Sequence, residues 1–229
     1  MELDEALRTT GAVREFRPDP VPRDVLWRVL DTARFAPSGG NAQGWQVVVV
    51  EDGEKRRRLR DLYLPGWYEY VALSAAGLRP WSPRADRRAE ADARRNADDH
   101  RRVAASGPGG FAEHLDAAPV LLALFVDLGA LAAVDRDLDR YTFAGGASVY
   151  PFAWNLLLAA REESLGGVIT TMCIHEEPQV KALLGAPDHL ALAAVIALGY
   201  PVRQPRRLKR AEVSTFARID SLTGEPLEP

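Results

Sequence analysis

The sequence of 229 residues predicts an α+β fold built as one domain. Apolar residues recur every three or four positions in several segments, as in amphipathic helices, and apolar runs of strand length lie between them. The two kinds of segment follow one another too irregularly for repeated βαβ units. Because a chain of this length can bury one sizeable core and no long linker divides it, we expect residues 1–229 to form a single domain.

The first half of the chain contains predicted helices and one strand. Residues 3–10 and 21–36 have apolar residues at helical spacing, and Pro37 ends the second of these helices. The segment "WQVVVVED" (45–52) is apolar at successive positions, as a strand covered on both faces requires. Two charged segments are also predicted to be helical, the second as a solvated helix: 54–64 and 83–105.

The second half contains three further strand candidates: 118–127, 166–173 and 189–201, the last rich enough in alanine to leave a helix open. A helix over 147–162 is apolar nearly all round and is therefore expected to be buried, with Pro151 in its first turn. A helix over 176–185 ends at Gly185. The tail, 202–229, is expected to wrap another surface as a C-terminal extension.

Composition and charge argue against several classes of protein. The formal net charge of −3 provides no basic excess to neutralise nucleic-acid phosphates. No apolar run is long enough to span a membrane, and the N-terminus has no apolar signal region. The single cysteine, Cys173, rules out an internal disulfide and fits a reducing compartment. We therefore expect a cytoplasmic protein with no nucleic-acid or membrane partner.

Motifs for side-chain catalysis are missing from the sequence. The four histidines and the cysteine do not have metal-ligand spacing, and no G-x-S-x-G surrounds a serine. No G-x-G-x-x-G indicates a dinucleotide held in the Rossmann manner. The sequence therefore predicts no metal site and no catalytic side chain.

The loop "PSGGNAQG" (37–44) has more glycine than a simple connector needs. Glycine permits positive φ and close approach of the backbone to a flat ligand. The amides of Asn41 and Gln43 offer donors and acceptors, which suit a heterocycle with N–H and C=O edges. A tight helix-to-strand turn with local side-chain bonds explains the same residues equally well.

Two basic segments lie near the two ends of the chain. The first contains Arg14 and Arg17, and the second contains four cations within five residues: Arg206, Arg207, Lys209 and Arg210. The guanidinium fork matches the oxygens of a phosphate and stays charged near neutral pH. The two segments either converge on one phosphate or are solvated surface charges.

Two further segments are candidates for contact with a ligand. In "SLGGVITTM" (164–172), backbone N–H groups near Thr170 and Thr171 could face an electron-rich ring atom, although an ordinary strand entry explains the glycines as well. Residues 66–117 form a predicted substrate-side insertion, either a solvated helix or a mobile lid. Six aromatic residues either cover a planar substrate or belong to the core: Trp67, Tyr68, Tyr70, Trp81, Tyr141 and Phe143.

Five motifs, taken in order, resemble those of the FMN-dependent nitroreductases. They are "VREFRPDPVP", "APSGGNAQGW", "SLGGVITT", "IALGYP" and "RRLKRAEV", and they extend from residue 14 to about residue 213. Each motif is weak by itself, but five in this order over most of the chain are specific. The resemblance implies a nitroreductase-like central mixed β-sheet flanked by helices, in an intertwined homodimer that holds two FMN at the subunit interface.

The resemblance also implies roles for individual residues. Arg14 matches a contact to the FMN phosphate or ribityl chain, and Thr170 and Thr171 match the stretch whose backbone lies near flavin N5. The loop that reaches FMN, in many members from the partner subunit, corresponds to Ser38, Gly39, Asn41 and Gln43. The C-terminal phosphate contacts correspond to Lys209 and Arg210, with Arg207 as a substitute.

The sequence departs from the family pattern in two places. Thr10, Gly11 and Ala12 stand where members usually have an additional arginine and a serine, so the phosphate depends more on the C-terminal cations. "QGW" replaces the usual "QPW", and no residue between 60 and 100 securely matches the contact to the flavin pyrimidine edge.

The function that these features imply is an FMN-dependent oxidoreductase. It would take hydride from NAD(P)H and pass it to a nitroaromatic, a quinone or a similar acceptor in a ping-pong cycle, with the flavin carrying the chemistry. Reductive dehalogenation or ring modification on the same fold is an alternative. A non-catalytic flavin-binding protein, or a protein with no cofactor, are the others.

Overall fold

The computed structural model describes residues 1–229. Seven α-helices are present: α1 (Leu3–Thr9), α2 (Arg23–Ala33), α3 (Gly53–Ala75), α4 (Arg87–Arg94), α5 (Ala97–Ala105), α6 (Tyr150–Glu162) and α7 (Glu177–Leu184). Four strands form one sheet: β1 (Trp45–Val49), β2 (Val120–Asp127), β3 (Gly166–Thr170) and β4 (Leu190–Gly199). None of the helices is both long and apolar enough to cross a membrane.

The sheet has the strand order β1-β2-β4-β3, and each neighbouring pair is antiparallel. Its parallel component is a single bridge between Ala12 and Gly167, through which the N-terminal segment joins the outer edge of β3. The predicted central sheet flanked by helices is confirmed. The last apolar segment is a strand, so its alanines do not make it a helix.

Two apolar layers cover the two faces of the sheet. Successive side chains of a strand point to opposite faces. Leu122 and Leu124 of β2 accordingly pack with α2 and α6 on one face. Leu121 and Phe125 pack with α3 and α7 on the other. This double cover explains why β2 and β4 are almost wholly buried, and it fixes the positions of α3 and β3, between which the candidate site lies.

The structure corrects the expectation that β1 is covered on both faces. β1 is an edge strand, and Gln46 and Val49 are exposed, although Trp45 stacks on Phe152 of α6 with ring centroids 4.9 Å apart. A valine run therefore indicated a strand correctly but overstated its burial. The helix closed by Gly185 and the position of Pro151 in the first turn of α6 are both confirmed.

Two other expectations about helices are wrong in extent. The predicted helix 54–64 continues as α3 to Ala75, straight through Pro65, because the side chains on both sides of the proline are packed into the core. The predicted helix 83–105 is instead the two short helices α4 and α5. Glu90 and Ala93 of α4 are buried, so that segment is only partly solvated.

The C-terminal tail begins by pairing with the N-terminal segment. Val202 N donates to Glu15 O at 3.0 Å, and the side-chain amide of Gln204 donates to Thr9 O at 3.2 Å. Farther along, the tail exposes apolar side chains, including Leu222, which is 93% exposed. Segments 9–17 and 200–208 therefore lie side by side along the β3 edge of the sheet.

Candidate functional site

A cavity of about 230 Å³ lies where β3 ends beside the middle of α3. It brings together five residues that the sequence predicted for the site: Arg14, Trp67, Tyr70, Thr170 and Thr171. The other lining residues are Tyr63, Phe111, Val168, Ile169 and Met172. The cavity thus combines flat aromatic walls, one cation and the end of a strand.

Arg14 reaches this cavity because the preceding residue anchors the N-terminal segment to β3. Val13 is buried, and its N–H donates to Gly167 O at 2.9 Å. Its Cγ2 lies 2.7 Å from the place that a Cβ of Gly166 would occupy, so the approach needs a glycine there. Arg14 therefore faces outward beside the strand, is exposed, and has no carboxylate partner.

The end of β3 supplies polar groups to the cavity. Thr170 is buried, and its Oγ1 lies 3.5 Å from Tyr63 Oη. The N–H of Thr171 has no acceptor among the hydrogen bonds of the chain. The strand end therefore presents a free backbone donor where a ligand atom with a lone pair can accept it.

The aromatic wall comes from one face of α3. Tyr63, Trp67 and Tyr70 have the i, i+4, i+7 spacing that places side chains in a row. Trp67 and Tyr70 are stacked, with ring centroids 5.6 Å apart and an interplanar angle of 13°. Tyr63 was missed at the sequence level because the helix was expected to end before Gly66, yet its spacing from Trp67 was a usable signal.

Trp81 extends this wall away from the cavity. Its ring lies 6.1 Å from that of Tyr70 and 4.6 Å from that of His175, and its Nε1 donates to Glu69 at 2.8 Å. Its φ of 51° is in the left-handed region, which is strained for a tryptophan. Trp81 therefore supports the wall from behind rather than lining the cavity.

The structure corrects the placement of Tyr68. It is five residues after Tyr63, on a different face of α3, and it is buried with its hydroxyl donating to Glu113 at 3.0 Å. Burial raises the pKa of Tyr68, and Glu113 raises it further. Tyr68 belongs to the core and does not line the cavity.

Tyr141 and Phe143 also lie outside this cavity, on the exposed loop that follows β2. The buried carboxylate of Asp135 organises that loop by accepting from Phe143 N at 2.9 Å and Arg140 Nη1 at 2.7 Å. These bonds lower the pKa of Asp135 to about 2. Tyr141 Oη accepts from Arg87 of α4 at 2.6 Å. Neither aromatic ring reaches the cavity of the same protomer.

The glycine-rich loop holds its shape through local bonds. Ser38 Oγ accepts from Gln43 N at 3.0 Å, and Gly39 N donates to Ser148 Oγ at 3.0 Å. Gly40, Asn41 and Gln43 have φ values of 58°, 55° and 51°. The tight-turn interpretation thus accounts for part of the loop. The side chains of Asn41 and Gln43 remain exposed.

This loop and the cavity lie at opposite edges of the sheet. The loop leads into β1, whereas Arg14 and Thr170 lie at β3, three strand spacings away in the order β1-β2-β4-β3. At about 4.8 Å for each spacing, the two edges are roughly 14 Å apart. The structure therefore does not bring Ser38, Gly39, Asn41 or Gln43 to the cavity of their own protomer.

The C-terminal cations lie on the segment that runs beside Arg14. Leu208 Cδ2 is 2.8 Å from the place that a Cβ of Gly11 would occupy, which fixes the segment against the N-terminal strap. Arg207, Lys209 and Arg210 are exposed beside α1, in a groove of about 1070 Å³. Arg210 donates only to the carbonyl of Lys209, at 2.9 Å. The cluster is therefore free to bind an anion.

Burial also determines the two titratable groups nearest the cavity floor. It raises the pKa of the Cys173 thiol to about 12, so this thiol is not a reactive nucleophile. It raises the pKa of Tyr63 as well, although the hydroxyl of Thr170 and the charge of Arg14 both act to lower it.

Comparison with known proteins gives consistent matches over most of the chain. The model of the Nitroreductase family matches residues 7–200. An NADH dehydrogenase of Thermus thermophilus is 31% identical over 220 residues, covering 84% of this chain and 83% of the relative. Iodotyrosine deiodinase 1 of Rattus norvegicus is 27% identical over 202 residues, covering 88% of this chain. The match spans 63% of the length of that deiodinase.

A solved structure with the same fold is that of oxidised iodotyrosine deiodinase bound to FMN and 3-iodo-L-tyrosine. It superposes with a TM-score of 0.63 at 23% identity, covering 96% of this chain and 100% of that chain. The family match, the identity to the Thermus relative and the shared fold agree with the order of the five motifs. The chain belongs to the Nitroreductase family.

Proposed function

We propose that the protein is a homodimeric, FMN-dependent oxidoreductase that takes hydride from NAD(P)H and passes it to an electron-poor acceptor such as a quinone or a nitroaromatic. The observation that carries this proposal is the cavity at the end of β3. There, an unpaired arginine, a free backbone N–H and a stacked aromatic wall meet in a chain of the Nitroreductase family.

The residues of the cavity fit a flavin nucleotide. The row of rings on α3 offers a flat apolar surface to a planar heterocycle. The free N–H of Thr171 can donate to an electron-rich ring atom, and the unpaired guanidinium of Arg14 can bind an anionic group. Beside Arg14, the cations at 207–210 provide further positive charge, which compensates for Thr10 and Ala12 where other members carry an arginine and a serine.

The size and position of the cavity favour a site completed by a second protomer. Ligand pockets usually measure about 300–1,000 Å³. One protomer provides a cavity of about 230 Å³, and its glycine-rich loop lies at the other edge of the sheet. Helices α2 and α6 leave Trp27 and Trp154 65% and 37% exposed, as a subunit interface would require. A homodimer would bring the loop of one protomer to the β3 edge of its partner.

In this proposal the bound flavin supplies the hydride chemistry, and the chain supplies position and electrostatics. Arg14 and the C-terminal cations hold the phosphate-bearing end of the cofactor. Thr171 orients the ring through its N–H, and positive charge near the ring favours its more anionic, reduced form. Trp67 and Tyr70 exclude water from one side of the cavity. A cytoplasmic location suits the single buried cysteine.

A second candidate is reductive dehalogenation of an aromatic substrate. The deiodinase relative favours it, because that protein acts on an iodotyrosine according to its name and matches 88% of this chain. The stacked aromatic wall suits a halogenated phenol as well as it suits a quinone.

Reconstitution with FMN followed by anaerobic reduction tests the proposal. We expect a yellow protein that NADH or NADPH bleaches and that a quinone, but not 3-iodotyrosine, reoxidises rapidly. Rapid iodide release with 3-iodotyrosine would favour the second candidate. A yellow protein that neither nucleotide bleaches would indicate a flavin-binding protein or another reductant. A protein that stays colourless with FMN would contradict both candidates.

A further inference from the structure

We propose that Tyr63 is a catalytic acid, which delivers a proton from its phenol to the acceptor during reduction. This inference rests on the proposed function. It goes beyond it because it assigns a side-chain role where the sequence predicted none. The acceptor class that it implies is one that ends with a new O–H bond, such as a quinone or a nitro compound.

The position of Tyr63 supports this role. Its side chain lines the cavity although the residue is only 3% exposed. Trp67 flanks its ring at 6.4 Å between centroids in a stacked arrangement, and Phe111 flanks it at 6.4 Å edge-on. The ring is therefore held in one orientation, with its hydroxyl at the end of β3.

The hydrogen bond to Thr170 leaves the phenolic proton available. Thr170 Oγ1 donates to Tyr63 Oη at 3.5 Å, and the phenol itself has no acceptor within the chain. A buried O–H without an acceptor is unusual, because buried polar groups are nearly always hydrogen-bonded. A ligand oxygen in the cavity would provide the acceptor that the chain does not.

The other residues of the cavity leave few alternatives as the acid. The lining contains no carboxyl group and no histidine. Tyr70 is the second phenol, but it is only half-buried and has no hydroxyl partner near its oxygen. The charged and titratable groups acting on Tyr63 are Arg14, Cys173 and Glu113. Arg14 is the group among them that stabilises a phenolate.

The chemical step balances as follows. The reductant supplies a hydride, whose electron pair leaves a negative charge on an oxygen of the acceptor. The O–H bond of Tyr63 breaks, its proton forms a bond to that oxygen, and the electron pair of the broken bond stays on Tyr63 Oη. The phenolate is stabilised by the hydrogen bond from Thr170 and by the charge of Arg14, and water then returns its proton. Nothing is oxidised or reduced on the tyrosine.

The decisive comparison is Tyr63→Phe against Tyr68→Phe in the FMN-reconstituted protein. The two variants make the same change to buried tyrosines of one helix, but Tyr68 faces Glu113 outside the cavity. Each protein is reduced with dithionite, so that the test does not depend on NAD(P)H, and is then mixed anaerobically with a quinone or with ferricyanide. Ferricyanide accepts one electron and needs no proton.

We expect Tyr63→Phe to slow reoxidation by the quinone by a factor of about 10²–10⁴, the usual contribution of general acid catalysis. Its reoxidation by ferricyanide, and both reactions of Tyr68→Phe, should keep wild-type rates. An unchanged rate with the quinone would overturn the proposal, and so would an equal loss with both oxidants, which would indicate a structural role. A wild-type protein that binds no FMN would instead refute the proposed function itself.

A titration of the cofactor-free protein provides a readout independent of turnover. Tyrosinate absorbance is followed with pH, and its loss in Tyr63→Phe identifies the transition of Tyr63. We expect Thr170→Val to move this transition to higher pH, because the variant removes the donor that stabilises the phenolate. A transition that does not move would contradict the proposed pairing of Thr170 with the acid.

Discussion

Arg14 and Arg17 lie three residues apart on one extended segment, but their surroundings differ. Arg17 pairs with Asp19 at 3.5 Å, and its guanidinium lies 5.2 Å from the ring centroid of Tyr200. Arg14 has no such partner and faces the cavity. An arginine without a carboxylate partner is available to bind an external anion, so these two residues form a matched pair for experiment.

Replacing Arg14 with alanine should weaken FMN binding by about 1.5–3 kcal/mol, the value of a hydrogen bond to a charged group. Arg17→Ala removes the same charge from the same segment and should leave the affinity within about 0.5 kcal/mol of wild type. Titration of the apoprotein with FMN, followed by flavin fluorescence, measures both. Equal losses in the two variants would indicate a general effect of charge and not a contact made by Arg14.

At the scale of elements, close packing around β3 determines where Arg14 and Thr170 lie. A Cβ on Gly167 would be 2.8 Å from the carbonyl oxygen of Ala197 and 3.0 Å from Cδ2 of Leu157. Val13 donates to the carbonyl of this same glycine. The small residue thus allows β3 to lie between β4 and the N-terminal segment.

Gly167→Ala should therefore destabilise the fold by about 1–3 kcal/mol, the usual cost of overpacking. The control is Gly53→Ala at the first residue of α3, where the nearest atom to a new Cβ would be Arg57 Nη1 at 3.5 Å. There the change should stay within about 0.5 kcal/mol. Urea unfolding measures both, and equal stabilities would show that β3 can shift to make room.

The loop after β2 should lose its order in acid because it depends on the carboxylate of Asp135. The pKa of Asp135 is lowered from 3.8 to about 2 by the N–H of Phe143 and by Arg140. A lowered pKa contributes stability above the ordinary value and loses it as pH falls through the folded value. The stabilisation is therefore complete above about pH 5 and is lost towards pH 2.

Asp135→Asn tests this dependence. The variant should be less stable than wild type above about pH 5, and the difference in unfolding free energy should shrink as pH approaches 2. Chemical unfolding of the two proteins across this range measures the difference. A difference that stays constant with pH would show that the charge of Asp135 does not hold the loop.

Periodicity in the sequence predicted the elements whose environment matches their pattern. The strand 118–127 reads as apolar and is buried, and the helix 147–162 was placed within a few residues of α6. Extent was harder to predict, because it depends on distant contacts. Pro65 lies within α3 since packing on both sides holds the helix, and the valines of β1 are only partly covered since β1 lies at an edge.

Site residues could be predicted where a motif places them on β3 or its neighbours. Arg14, Thr170 and Thr171 share a cavity as expected. Tyr68 was misplaced because aromatic composition does not indicate which face of a helix a ring occupies. The roles of the loop 38–43 and of the C-terminal cations stay predictions, because one protomer does not bring the loop to the cavity.

At the scale of the whole molecule, one protomer carries two halves of a site on opposite edges of its sheet. The loop belongs to the β1 edge, and the cavity with Arg14 belongs to the β3 edge. A two-fold dimer brings such halves together twice, which gives two equivalent sites for each pair of chains. The central claim is therefore that FMN binds where the β3 edge of one protomer meets the loop of the other.

The most direct measurement is a crystal structure of the protein grown with FMN. We predict a homodimer with FMN in contact with Arg14 and the Thr171 N–H of one protomer and with the 38–43 loop of its partner. FMN bound at a place that none of these residues touches, or a monomer that holds FMN without the loop, would contradict the account.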